Sequence, residues 1–221
     1  MCVKEPKKKA RVVFCLGGPG AGKGTQCARL SDFGYVHLSA GELLRRERAS
    51  GSKDGELIES YLSEGDIVPV ALSLGLLKKE MERSESNYFV VDGFPRNIDN
   101  VQGWRDAMRD VADVDCVLFF DVPPEVLMER MLERGQTSGR SDDTLATAHK
   151  RLATYSEATL PLIEKFEHDG DFKVLRVKGI GSIDDVWQRT HDALRPFFPT
   201  TEDKKQAPHT KGDDREHLNG D

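Results

Sequence analysis

Short apolar runs alternate along the chain with longer stretches in which apolar residues recur every three or four positions. The runs at 11–16 (RVVFCL), 35–38, 88–92 (YFVVD), 114–122 (VDCVLFFDV) and 172–177 predict strands. They are short and rich in β-branched and aromatic residues. Several are apolar at consecutive positions, the pattern of strands buried on both faces of a parallel sheet. The spaced stretches predict helices: one from Gly22 to about Ser31, then 40–48, 55–64, 70–83, 97–110, 124–134, 143–167 and 182–195. In 143–167 the apolar face runs Leu145, Ala148, Leu152, Tyr155, Thr159, Leu162, Phe166. Pro161 is expected to kink that helix near Leu160, and Pro123-Pro124 signals entry into the preceding one. Alternating strands and helices predict a doubly wound α/β fold with right-handed crossovers. The helices inserted between 40 and 83 break the alternation and predict a subsidiary lobe.

Composition narrows the class. With 221 residues the chain is expected to form one main domain. Hydrophobic residues at 38% supply a core, under a surface set by 32% charged residues. A formal charge of −6 argues against sequence-independent binding to nucleic acid. No apolar run approaches the roughly 20 residues of a membrane helix, and no apolar segment resembling a secretory signal follows Met1. A soluble, cytoplasmic monomer is expected; Lys7-Lys8-Lys9 leaves a nuclear pool open. Residues 1–10 and 199–221 are charged and poor in large aliphatic side chains, and both are expected to be disordered. Cys2, Cys15, Cys27 and Cys116 are scattered with no CxxC pair and read as reduced thiols.

The chemistry concentrates first in Gly17-Gly18-Pro19-Gly20-Ala21-Gly22-Lys23-Gly24-Thr25. A glycine-rich string directly after a strand and before a helix forms a phosphate cradle: backbone N–H groups converge on the anion, and the lysine adds a mobile charge. This site is expected to bind a nucleoside triphosphate. The general motif places Ser or Thr after the lysine, to ligate Mg²⁺. Here Gly24 stands there, so Asp92, ending an apolar strand, is the expected carboxylate, acting through the ion's waters.

The sequence has neither the NKxD of a GTPase nor the LSGGQ of an ABC-type ATPase. It offers arginines instead: Arg45, Arg96, Arg134, Arg140 and Arg151, each beside a turn or helix start. Transfer between two polyphosphates gathers negative charge that guanidinium forks can neutralise pairwise.

Three further stretches, HLSAGELLR from His37, DGFPRN from Asp92 and SGRSDD from Ser138, complete a pattern that resembles the nucleoside monophosphate kinase (adenylate kinase-like) family. The form GGPGAGKGT, with glycine after lysine, looks like that family's own variant. The similarity runs in order over about 11–198. It implies a P-loop three-layer α/β/α fold with a five-stranded parallel sheet, a helical monophosphate-binding lobe at 39–68 and a short lid at 134–143. Within the family, Ala40 in the second motif and the segment from Asn97 to Trp104 resemble the branch acting on UMP and CMP; a kinase acting on AMP and an inactive nucleotide-binding module are the alternatives. An amide suits both pyrimidines because uracil O4 accepts and cytosine N4 donates. Asn97 suits a helix cap equally well, whereas Asn100 lies inside the helix and is the expected base reader.

The resemblance implies the following roles. Gly20, Ala21, Gly22, Lys23, Gly24 and Thr25 hold the phosphates of ATP, with Lys23 following the transferring group. Ser39, Arg45, Asp66, Ile67, Val68, Gly93, Phe94, Pro95, Arg96 and Asn100 line the monophosphate site, Arg45 and Arg96 on its phosphate. Arg134 meets ATP at the lid hinge, Arg140 and Arg151 close over the reacting phosphates, and Gly181 lends backbone to the adenine. Lys23, Arg96, Arg134, Arg140 and Arg151 form the expected catalytic set. Asp142 and Asp143 either hold the lid closed or form a solvated turn. ATP and Mg²⁺ are the implied donor and ion.

Overall fold

The computed structural model describes residues 9–137 and 144–200. Its sheet is built from β1 (Ala10–Gly17), β2 (Val36–Ser39), β3 (Tyr88–Asp92), β4 (Ala112–Asp121) and β5 (Val174–Lys178). All pair in parallel, in the order β2-β3-β1-β4-β5. β1 is central, and Val12 to Leu16 are buried without a polar break, as its sequence demands. The helices are α1 (Lys23–Arg29), α2 (Ala40–Ala49), α3 (Lys53–Glu64), α4 (Val70–Arg83), α5 (Ile98–Met108), α6 (Pro124–Thr137), α7 (Leu145–Thr154), α8 (Leu160–Asp169) and α9 (Ile183–Leu194). Together they make the three-layer α/β/α arrangement. Phe14 meets Trp104 edge-on, centroids 4.9 Å apart, within a core that also buries Phe89, Phe119, Phe120 and Phe166. Each such side chain contributes about 2–3 kcal/mol by burial.

The excursion between β2 and β3 carries a small core of its own, Leu44, Ile58 and Val68. Here α2 and α3 cross closely: a Cβ on Gly55 would stand 2.6 Å from the Glu47 carbonyl oxygen. No helix of the described residues is long and apolar enough to cross a membrane.

Most element boundaries shift by one to three residues from the sequence reading, and three of the differences have a local cause. β1 begins at Ala10, inside the segment expected to lack structure, because its N–H donates to Val111 O at 2.9 Å. β4 starts two residues early, and a register shift between Val12 and Val13 leaves Asp115 as an extra residue. The expected single helix at 143–167 is α7 and α8 joined by an i→i+5 turn at Tyr155–Thr159. Pro161 has no N–H to close a bond to residue 157, and the wider turn just ahead takes up that break. Residues 1–8, 138–143 and 201–221 lie outside the described residues, and with them Arg140, Asp142, Asp143 and most of the expected lid.

Candidate active site

A cavity of about 510 Å³ opens at the carboxyl ends of β1 and β3, where open α/β sheets bind their ligands. Its floor is the loop from Gly17 to Thr25. At Gly20 φ is 85°, and a Cβ would stand 2.6 Å from Leu127 O of α6. Only glycine fits there. Gly22 caps α1 with no side-chain acceptor. Lys23 opens the helix and folds back, its Nζ donating to Gly17 O (3.0 Å) and Gly18 O (2.9 Å). Burial lowers its pKa below the usual lysine value, against the pull of Asp92.

Asp92 ends β3, level with Cys15 of β1 and Ser39 of β2, so the sheet register itself carries it to the cavity. Burial alone would raise its carboxyl. The His37 ring, the Lys23 ammonium and the Arg96 guanidinium outweigh that and hold it below the usual carboxylate range. His37 Nε2 lies 3.7 Å from Asp92 Oδ2 and is buried without a hydrogen-bond partner. A Cβ on Gly24 would stand 3.8 Å from Asp92 Oδ2, so the loop backbone passes close to this carboxylate.

Beyond Asp92 the chain turns at Gly93, with φ 78° and a cis peptide between Phe94 and Pro95. Gly93 O accepts from Arg96 Nε at 2.9 Å, and Arg96 N donates to Asn100 Oδ1 at 3.0 Å. Asn97 caps α5 through Asn100 N at 2.9 Å. On α2, Ser39 caps the helix through Glu42 N (3.4 Å), and Arg45 pairs with Glu42 at 3.0 Å. Arg130 and Arg134 enter from α6, Arg151 from α7. Six cationic side chains thus border one cavity beside two carboxylates, Glu42 and Asp92, among the described residues. Such a wall is built for clustered anions.

A family model described as adenylate kinase matches residues 15–171. The chain belongs to the adenylate kinase family. UMP-CMP kinase of Gallus gallus is 53% identical over 188 residues, 82% of this chain and 95% of the relative. UMP-CMP kinase of Homo sapiens is 53% identical over 186 residues, 81% and 94%. That of Danio rerio is 52% identical over 193 residues, 84% and 97%.

In this adenylate kinase family chain the structure brings together most of the sequence-derived set: Gly20 to Thr25, Ser39, Arg45, Asp92, Gly93, Arg96, Arg134 and Arg151 all border the cavity. Other members stand back from its wall. Phe94 packs against Trp104 at 5.9 Å, next to the buried Pro95. Val68 is in the small lobe core. Asp66 donates its N–H to Tyr61 O at 3.0 Å, with Ile67 following half-buried. Asn100 is buried with its Oδ1 taken by Arg96, and Gly181 precedes the cap of α9. Sequence reasoning missed Arg130, His37 and Thr159, which also border the cavity. Arg130 lies one helical turn before Arg134, a spacing that could have found it. Its Nη1 donates to Gly179 O at 3.0 Å, tying α6 to the loop after β5.

Proposed function

We propose that this chain transfers the γ-phosphoryl group of ATP to an α-phosphate oxygen of UMP or CMP, yielding the nucleoside diphosphate and ADP. The observation that carries the reading is the meeting of Lys23, Arg45, Arg96, Arg130, Arg134 and Arg151 in one cavity above the glycine loop, in a chain half identical to UMP-CMP kinases over most of its length. The loop and Lys23 cradle the triphosphate of ATP; Arg45 and Arg96 take the acceptor phosphate; Arg134 and Arg151 face the groups that exchange. Near neutral pH the acceptor phosphate carries close to two negative charges, so its oxygen needs no base. Catalysis then rests on alignment and on neutralising charge while water is kept out. Asn100 remains the proposed base reader: its oxygen is engaged by Arg96 N–H, so its amide nitrogen would donate to an acceptor on either base, uracil O4 or cytosine N3, rather than pair with cytosine N4.

The residues present suit Mg²⁺ in the mode it prefers, with one or two carboxylates, substrate phosphates and retained waters. Asp92 is held ionised beside the loop, and no group of three or more potential metal-ligating side chains occurs among the described residues. Asp92 would hold the ion through its waters, and the ion would supply charge neutralisation between the donor phosphates.

An acceptor panel tests the reading. With ATP and Mg²⁺ constant, ADP formation is measured against UMP, CMP and AMP. UMP and CMP are expected to be at least about tenfold better than AMP, some 1.4 kcal/mol in transition-state binding. AMP as the best acceptor would make the chain an adenylate kinase, and no ADP with any acceptor would leave a binding module.

A further inference from the structure

Among the described residues, three hydrogen bonds hold the Arg96 turn. The Arg96 N–H donates to Asn100 Oδ1 at 3.0 Å, and its Nε to Gly93 O at 2.9 Å. Both partners belong to its own turn and to α5. The third contact comes from 63 residues away: Thr159 Oγ1 donates to Arg96 O at 2.8 Å. Thr159 is 6% exposed, borders the cavity and ends the i→i+5 turn between α7 and α8. A threonine inside a helix ordinarily returns its hydroxyl to a carbonyl of the preceding turn. This one reaches across to another element, on a side chain whose β-branch restricts rotation.

The wide turn explains how it gets there. Arg151, Tyr155 and Thr159 are spaced by four, and in an unbroken α-helix each such step drifts about 40° around the axis. A turn closed by i→i+5 bonds holds more residues and takes back part of the drift. All three side chains therefore border the same cavity.

We infer that Thr159 is a positioning residue for Arg96, its hydroxyl fixing the Arg96 carbonyl and so the line along which the guanidinium meets the acceptor phosphate. The inference rests on the proposed role of Arg96 as a ligand of that phosphate. If the hydroxyl only satisfied a buried carbonyl, its removal would cost stability and leave both substrate constants alone.

The test compares Thr159→Val, which keeps the shape and removes the donor, with Thr159→Ser, which keeps the donor, and uses Thr159→Ala if the valine variant fails to fold. Steady-state constants for UMP, CMP and ATP are measured together with thermal midpoints. The valine or alanine variant is expected to raise KM for UMP and CMP about tenfold, a loss in the range of one buried hydrogen bond, with KM for ATP within about twofold. Thr159→Ser restores most of the loss. Unmoved acceptor constants, an equal rise for ATP, or no rescue by serine overturns the inference and leaves the functional reading standing. A wild-type protein that makes no ADP from either acceptor overturns both.

Discussion

Lys23 illustrates how much a single position can decide. Its ammonium is folded against Gly17 O and Gly18 O and carries the loop's only cationic side chain. Lys23→Met keeps the length and apolar stem but removes the charge. It is expected to lower kcat by about 10²–10³-fold with the thermal midpoint held near wild type, as read by steady-state kinetics and melting curves. Asp92 supplies a pH prediction. Its folded pKa is depressed, so it stabilises the fold above the ordinary carboxylate range near about 4, and that contribution is lost as the pH falls through the folded value. Denaturation of wild type and Asp92→Asn across acid pH should show the difference between them move against wild type as the pH drops; a constant difference contradicts the assignment. Residues of this kind were legible when they stood in a contiguous motif, as Lys23 does. Arg130 and Thr159 stand in no such motif, and His37, though it opens one, has a meaning that no motif shows: the three depend on Gly179, Arg96 and Asp92, partners set by tertiary register.

At the scale of elements, all five strands and the order of helices could be read from periodicity. The interruption at Tyr155–Thr159 could not. Pro161 marks a break, but a kink and a wide turn look alike in sequence, and only the wide turn carries Thr159 to Arg96. Gly55 teaches the same lesson. By helix propensity it is a flaw of about 1 kcal/mol relative to alanine. In the fold it permits the crossing of α2 and α3, since a Cβ would meet Glu47 O at 2.6 Å and Arg48 O at 3.2 Å. Backbone cannot swing aside as a side chain can. Gly55→Ala is therefore expected to destabilise by about 1–3 kcal/mol despite its better propensity, and to raise KM for the acceptor. Melting curves and acceptor titrations check both, and a stabilised variant would contradict the packing argument.

Across the whole molecule, the sheet register brings Asp92 and Ser39 level with Cys15 at one edge, the loop after β1 sets Lys23 at the start of α1 there, and α2, α6 and α7 carry arginines to it from separate parts of the chain. The sequence named most of these arginines, and their convergence is what the fold adds. The claim that one cavity holds donor and acceptor end to end is tested most directly with a single molecule joining adenosine and uridine through a pentaphosphate bridge. Titration calorimetry should find one such molecule per chain, bound at least about 100-fold tighter than ATP or UMP alone because its two halves bind as a linked pair. Two molecules per chain, or an affinity no better than that of ATP, would contradict it.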